Sequence, residues 1–162
     1  CIAIALSRNL PFARVTAADI SDGALTTARA NAAALRADVN FLHADMLALP
    51  EAPATFGDSP FDIIVSNPPY VAESEKKDME PNVLAYEPAG ALFVPDSDPL
   101  RFYRAILRYA AGGGLADGGK VYFEINPLFA ADMERLCGQE GFADVALTRD
   151  SFGKERFLRA SR

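Results

Sequence analysis

Three short apolar runs, each leading to a polar residue, constrain this chain more than any other feature. Val15-Thr16-Ala17-Ala18 ends at Asp19. Val39-Asn40-Phe41-Leu42 is followed closely by Asp45. Phe61-Asp62-Ile63-Ile64-Val65 runs into Ser66-Asn67-Pro68-Pro69-Tyr70. Between the first two runs, Leu25, Ala28, Ala32 and Leu35 recur every three or four residues and mark one helix face, with Ser21 as the N-cap. Strands that alternate with helices build a mostly parallel sheet covered on both faces, so the fold class is α/β. The third run is apolar enough to be a central strand.

The rest of the chain continues the alternation. Residues 1–9 read as a buried helix that stops before Pro11. Residues 71–98 read as irregular, and a structureless stretch of that length inside a compact domain is usually functional. A helix is expected over 99–111, with Gly112–Gly114 and Gly118-Gly119 flanking a turn. Lys120–Ile125 reads as a strand and 128–139 as a helix, with Gly141 just past its end. Asp144–Thr148 and Arg156–Ala160 are two strands in a row, which predicts one antiparallel edge strand. With no repeat, linker or low-complexity tract, residues 1–162 are expected to form a single domain.

Composition excludes several classes. There are 16 Lys+Arg against 22 Asp+Glu, a formal net charge of −6. That balance argues against a surface built to grip nucleic acid phosphates, though it leaves room for a local basic groove. No apolar run approaches the roughly 20 residues of a membrane-spanning helix. Cys1 and Cys137 lie far apart and form no CxxC pair, which speaks against a disulfide scaffold or a cysteine zinc site. The opening Cys1-Ile2-Ala3-Ile4-Ala5-Leu6 is hydrophobic from its first residue and lacks the basic lead-in of a secretory signal. It reads as a chain cut inside a fold.

In a doubly wound sheet, ligands sit beyond the carboxyl ends of the strands. Asp19, Asp45 and Asn67 are expected there. A carboxylate at the end of the second strand can accept from both hydroxyls of a ribose, and such a residue lies about 20 residues after a glycine-rich loop. Asp19 meets that spacing if the loop precedes Cys1. Asp19 also suits helix capping before Ser21, and Asp45 suits a turn. Asn67-Pro68-Pro69-Tyr70 is more specific. Two successive prolines fix φ, remove two backbone donors and hold the preceding residues extended. The segment becomes a rigid rim of outward carbonyls, to which the Asn67 side chain adds one more acceptor. Such a rim suits a planar –NH2 group, and Tyr70 offers an aromatic face.

This tetrad, with Asp19 and Asp45 upstream, resembles the class I S-adenosylmethionine-dependent methyltransferases that act on amino nitrogens. A longer pattern narrows the resemblance: Val65 through Val71, Tyr86-Glu87-Pro88, Ala91-Leu92, Phe123-Glu124-Ile125, then Asp150 with Gly153-Lys154-Glu155-Arg156. It is similar to the HemK/PrmC family of protein glutamine N5-methyltransferases, which modify the Gly-Gly-Gln glutamine of class I peptide release factors. The resemblance implies a Rossmann-like methyltransferase fold and S-adenosylmethionine as cofactor. It also implies a release factor as protein partner and a cytoplasmic location, with no direct nucleic acid contact and no membrane. By the same resemblance Asp19 binds the ribose, and Asp45 and Met46 lie beside the adenine. Asn67 sits near both cofactor and substrate. Pro68 shares its acceptor role, Tyr70 holds the amide plane, Pro69 belongs with them to the substrate-binding set, and Glu87 in that set orders the 71–98 loop over the site or only caps it.

The chain departs from that family in three ways. The family's first strand with its glycine-rich loop, and its N-terminal helical domain, are expected to precede Cys1. Asn126-Pro127 stands where the family often has Gly and, later, Gln. A chain cut there is expected to leave a gap in mid-sheet, and so to bind cofactor weakly or to dimerise. The tetrad is also compatible with methylation of a ribosomal-protein glutamine or, less readily, of a DNA or RNA base. A non-catalytic nucleoside-binding domain would explain Asp19 and Asp45 but not the tetrad. His43, the only histidine, reads as structural, Gly112–Gly114 as a turn, Glu73–Glu80 as a solvated run and Cys137 as core.

Overall fold

The computed structural model describes residues 1–57, 59–79, 82 and 86–162, and leaves the side chains of residues 53 and 78 undescribed. They form two compact units, Cys1–Ala48 and Leu49–Arg162.

In the first unit, α1 (Ile2–Asn9) precedes β1 (Thr16–Asp19), α2 (Asp22–Ala34) and β2 (Asn40–His43). The strands pair in parallel, Thr16 opposite Asn40 and Asp19 opposite His43. The Ser21 hydroxyl accepts from the Ala24 N–H at 3.2 Å and caps α2 as expected. Leu25 and Ala32 are its buried positions, one helical stripe. The burial expected for 1–9 is not met: the helix forms, but none of its residues is buried. Apolar composition makes a helix face without supplying the surface that would cover it.

The second unit holds a four-stranded sheet. Its strands are β3 (Phe61–Ser66), β6 (Leu115–Glu124), β7 (Ala143–Arg149) and β8 (Glu155–Ser161), in the spatial order β3-β6-β8-β7. β3 and β6 are parallel, and β8 runs antiparallel to both β6 and β7. The expected antiparallel strand is therefore present, but it lies between two others rather than at the edge. A hairpin fixes that β7 and β8 are neighbours; it does not fix which of them reaches β6. β3, expected to be central, is the end strand of this sheet, with Ile63 53% and Val65 40% exposed. Its apolar run records a preference for burial, and within this sheet only β6 pairs with it.

Alternation along β6 sets the core. Val121, Phe123 and Ile125 are buried on one side, opposed by Leu158 and Ala160 of β8. The helix α4 (Arg101–Tyr109) buries Tyr103, Ile106 and Leu107, and α5 (Ala130–Gln139) buries Met133, Leu136 and Cys137. Tyr103 packs edge-on against Phe123 at 5.2 Å between centroids, a contact that contributes roughly 0.5–1.5 kcal/mol beyond area burial. The Gly112–Gly114 run, expected as a turn, ends a π-helical segment, Ala110–Gly114, and β6 follows at once from Leu115, five residues before the expected strand start. Gly113 has φ +110°, and a Cβ at Gly114 would collide with the Tyr109 ring.

The described residues of 71–98 form more regular structure than the sequence suggests. β4 (Val71–Ala72) pairs in parallel with β5 (Phe93–Val94). A 3-10 turn covers Glu73–Asp78, and a short helix, α3, covers Ala89–Leu92. Strands of two residues carry no readable periodicity. Glu80, the end of the predicted solvated run, lies outside the described residues.

Candidate active site

In the first unit, parallel pairing brings the ends of β1 and β2 side by side. The Ala44 N–H donates to the Asp19 carbonyl at 3.1 Å. Asp19 and Asp45 thus follow adjacent strands, and both are exposed. Each carboxylate shapes its own turn: Asp19 Oδ1 accepts from the Ser21 N–H at 2.8 Å, and Asp45 Oδ1 accepts from the Leu47 N–H at 2.9 Å. The turn reading of Asp45 is therefore realised, whereas Asp19 braces the N-cap residue Ser21 and does not itself cap α2. Neither carboxylate's Oδ2 accepts a hydrogen bond from the described residues, so each keeps an oxygen open to a hydroxyl donor. Met46 is half-buried and begins a 3-10 turn, Met46–Glu51. His43 lies 4.0 Å from Asp22 and is exposed.

In the second unit, Ser66 is paired with Phe123, so the residues after β3 and after β6 leave the sheet together. The tetrad Asn67–Tyr70 therefore emerges beside Glu124, Ile125 and Asn126. Asn67 is exposed, Pro68 buried, Pro69 and Tyr70 half-buried. Neither the Asn67 side chain nor the Pro68 carbonyl is hydrogen-bonded to a described residue, which leaves both acceptors open.

Tyr70 is held at both ends. Its hydroxyl donates to Glu124 Oε1 at 2.9 Å, and its carbonyl accepts from Asn126 Nδ2 at 3.2 Å. Burial first, then the Glu124 hydrogen bond and charge, push the Tyr70 phenol above its ordinary pKa; the Arg156 guanidinium opposes them. The expected aromatic face thus comes with an anchored hydroxyl. Asn126 is 6% exposed and also donates to Glu75 Oε2 at 2.8 Å, while its Oδ1 accepts from the Leu128 N–H at 3.0 Å. Glu75 Oε2 accepts in addition from the Ala72 N–H at 2.8 Å. Further along, Asp96 Oδ1 accepts from the Ser74 hydroxyl at 2.6 Å and from its N–H at 3.0 Å. Those bonds hold the Asp96 carboxyl below its usual pKa.

Glu87 is exposed and makes no hydrogen bond or ion pair with the described residues. Glu75, Glu124 and Asn126 were not singled out as candidates. The one available signal was two polar residues flanking Ile125 at a strand end, where alternation puts them on the same side. Among the described residues no group of His, Cys, Asp and Glu could hold a metal, and no helix is long and apolar enough to cross a membrane.

The chain belongs to the methyltransferase domain family, whose family model matches residues 1–83. Its curated relatives are more particular. It is 51% identical, over 100% of its length, to a protein of Bacteroides thetaiotaomicron named release factor glutamine methyltransferase. It is 42% identical, over 99% of its length, to one of Flavobacterium psychrophilum with the same name. The chain spans about half the length of these relatives, 56% and 54%. Their names agree with the resemblance carried by the tetrad and the C-terminal pattern. Among solved structures, a predicted O-methyltransferase of Agrobacterium tumefaciens matches with a TM-score of 0.64 at 20% identity, covering 98% of this chain and 66% of that one. The Thermus thermophilus 16S rRNA N2 G1207 methyltransferase matches with a TM-score of 0.60 at 21% identity, covering 93% and 32%. These likenesses establish the α/β methyltransferase fold.

Proposed function

We propose that this chain forms the catalytic domain, residues 1–162, of an S-adenosylmethionine-dependent enzyme. In this reading the enzyme methylates the side-chain amide nitrogen of a glutamine, the Gly-Gly-Gln glutamine of class I peptide release factors, in the cytoplasm where they act. The observation that carries the reading is the tetrad. Asn67 and Pro68 present open acceptors, while Tyr70 behind them is fixed through its hydroxyl and its carbonyl. The names of these relatives, about half of whose length the chain spans, support the choice of acceptor.

The acceptor groups suit the cofactor. The open Oδ2 atoms of Asp19 and Asp45 suit hydroxyl donors of a nucleoside, and half-buried Met46 suits an adenine face. When bound, the cofactor supplies an electrophilic methyl on a sulfonium. The chain's own residues then have to present a poor nucleophile correctly. An amide nitrogen is weak because its lone pair is delocalised into the carbonyl. Asn67 Oδ1 and the Pro68 carbonyl accept its two N–H bonds, orient it and favour a pyramidal geometry. They also stabilise the positive charge that develops on it until one of its protons leaves to water after transfer, so positioning and electrostatics supply most of the catalysis. Tyr70 holds the amide plane, and Pro69 lines the substrate beside it. In this reading Glu87 orders the 71–98 loop over the site.

The test incubates the full-length protein with S-adenosylmethionine and a purified class I release factor. Mass spectrometry should find one added methyl on the Gly-Gly-Gln glutamine. The Asn67→Ala variant should stay folded and lose turnover on the order of 100-fold, the scale for one electrostatic contact to a developing charge. Bound cofactor with no methyl on that glutamine would overturn the substrate and direct the search to ribosomal-protein glutamines.

A further inference from the structure

Glu124 and Asn126 stand two residues apart at the end of β6, and between them they hold both ends of Tyr70. The two bonds differ in what they can control. The Glu124 bond holds a side chain. The Asn126 bond holds the main chain of the tetrad itself. Pro68 and Pro69 already have φ locked by their rings. Fixing the Tyr70 carbonyl restricts much of the torsional freedom that remains between Asn67 and β4.

Asn126 is built for more than local capping. Its Oδ1 accepts from the Leu128 N–H and so starts the 3-10 turn Pro127–Phe129. That task needs no donor. Yet both hydrogens of Nδ2 are used, one on the Tyr70 carbonyl and one on Glu75 Oε2, 56 and 51 residues away in sequence. With the side chain 6% exposed and its amide engaged at both ends, its orientation is fixed. Glu75 in turn holds the Ala72 N–H. One buried amide therefore joins the tetrad, the 73–78 turn and the end of β6.

We propose that Asn126 is a positioning residue for the methyl transfer, setting through the Tyr70 carbonyl the angle at which the Asn67 and Pro68 acceptors meet the substrate amide. This rests on the functional reading above. Asn126→Asp separates capping from positioning: it keeps an acceptor for Leu128, deletes the Nδ2 donors and sets a carboxylate against Glu75. Asn126→Ala removes both roles and calibrates the loss of folding stability.

Two readouts are taken on the full-length protein. In the first, Asn126→Asp should lower kcat on the release factor by 10- to 100-fold, the scale of a 1 Å misplacement at a reacting centre. Cofactor affinity should stay within twofold. In the second, which needs no reaction, tyrosines are labelled at Cζ with carbon-13 and titrated by NMR, and Tyr70→Phe assigns the signal. The groups around the Tyr70 hydroxyl are Glu124, Arg156 and Tyr103. In Asn126→Ala, which removes the bond to Tyr70 without adding a charge, the Tyr70 titration should move toward that of an ordinary tyrosine. An unchanged Tyr70 titration in the folded variant overturns the proposal. So does a kcat within twofold of wild type. If the wild-type protein methylates no glutamine, the functional reading fails, and the titration alone still decides whether Asn126 positions Tyr70.

Discussion

Tyr70 spans 54 residues of sequence to place its hydroxyl 2.9 Å from Glu124 Oε1, and Glu124 is in turn held from behind, its backbone carbonyl accepting from the Tyr103 hydroxyl at 2.8 Å. Two tyrosines thus grip one residue at the end of β6, one on its carboxylate and one on its main chain. Tyr70→Phe keeps the ring and leaves a half-buried carboxylate oxygen without its donor. The expected cost is about 1–2 kcal/mol of stability, read from urea denaturation. Turnover should fall about tenfold, with cofactor affinity unchanged. Wild-type turnover from this variant would confine the Tyr70–Glu124 bond to folding.

Asp19 and Asp45 can be tested without disturbing their turns. In Asp19→Asn and Asp45→Asn, the side-chain carbonyl still accepts from the Ser21 or Leu47 N–H that each aspartate now holds. What is lost is the charge and the second acceptor oxygen. A hydrogen bond to a charged group contributes roughly 1.5–3 kcal/mol, so S-adenosylmethionine affinity should weaken about 10- to 100-fold in each variant. Calorimetric titration measures this directly, and the melting temperature should hardly move. Unaltered affinity in both would leave the two aspartates as turn formers only.

The parts of this fold that were legible are those written in local pattern. Ser21 before Leu25, Ala28 and Ala32 announces α2, and the runs at 15–18, 61–65 and 144–148 announce strands. The tetrad is legible for the same reason, since two prolines dictate local geometry wherever they occur. What was not legible is pairing across long separations. Nothing near Asn126 says that its amide will meet Tyr70 and Glu75. Nothing in two successive strands says that β8 rather than β7 will lie against β6. Val71–Ala72 and Phe93–Val94 are strands only because they found each other.

The buried phenols predict an alkaline limit to stability. Burial first, then the nearby Tyr70 and Glu124, push the Tyr103 phenol far above its ordinary value; Tyr70 is shifted in the same direction. The folded state holds both phenols neutral, whereas an unfolded chain ionises them near pH 10. The folded pKa is the higher one, so the stability it contributes is complete below about pH 10 and is lost as pH rises further. The urea midpoint should stay level from about pH 7 to 9 and fall above 10. Tyr103→Phe should be less stable at neutral pH, where it lacks the bond to the Glu124 carbonyl, and should show a shallower alkaline decline. An equally steep decline in that variant would assign the limit to other groups.

The turn between β7 and β8 should be the acid-sensitive element. Asp150 Oδ1 accepts from the Phe152 N–H at 2.9 Å and the Lys154 N–H at 3.0 Å, and Oδ2 lies 3.6 Å from Arg156 Nε. The Lys154 N–H first, then the Phe152 N–H and the charge of Arg156, hold the Asp150 carboxyl below its usual range. Here the folded pKa is the lower one, so the benefit is present above about pH 4 and is lost as pH falls toward the depressed value. The turn carries Phe152, 86% exposed, and Gly153 at φ +80°, and has little packing of its own to fall back on. Asp150→Ala should therefore lower hydrogen-exchange protection at the amides of Phe152 and Lys154 while leaving that of Phe123 and Leu158 intact. In the wild type, the same two amides should lose protection first as pH is lowered below 4. Protection that persists at both amides in Asp150→Ala would mean that the backbone bond from the Asp150 N–H to the Lys154 carbonyl, 2.8 Å long, is enough to hold the turn.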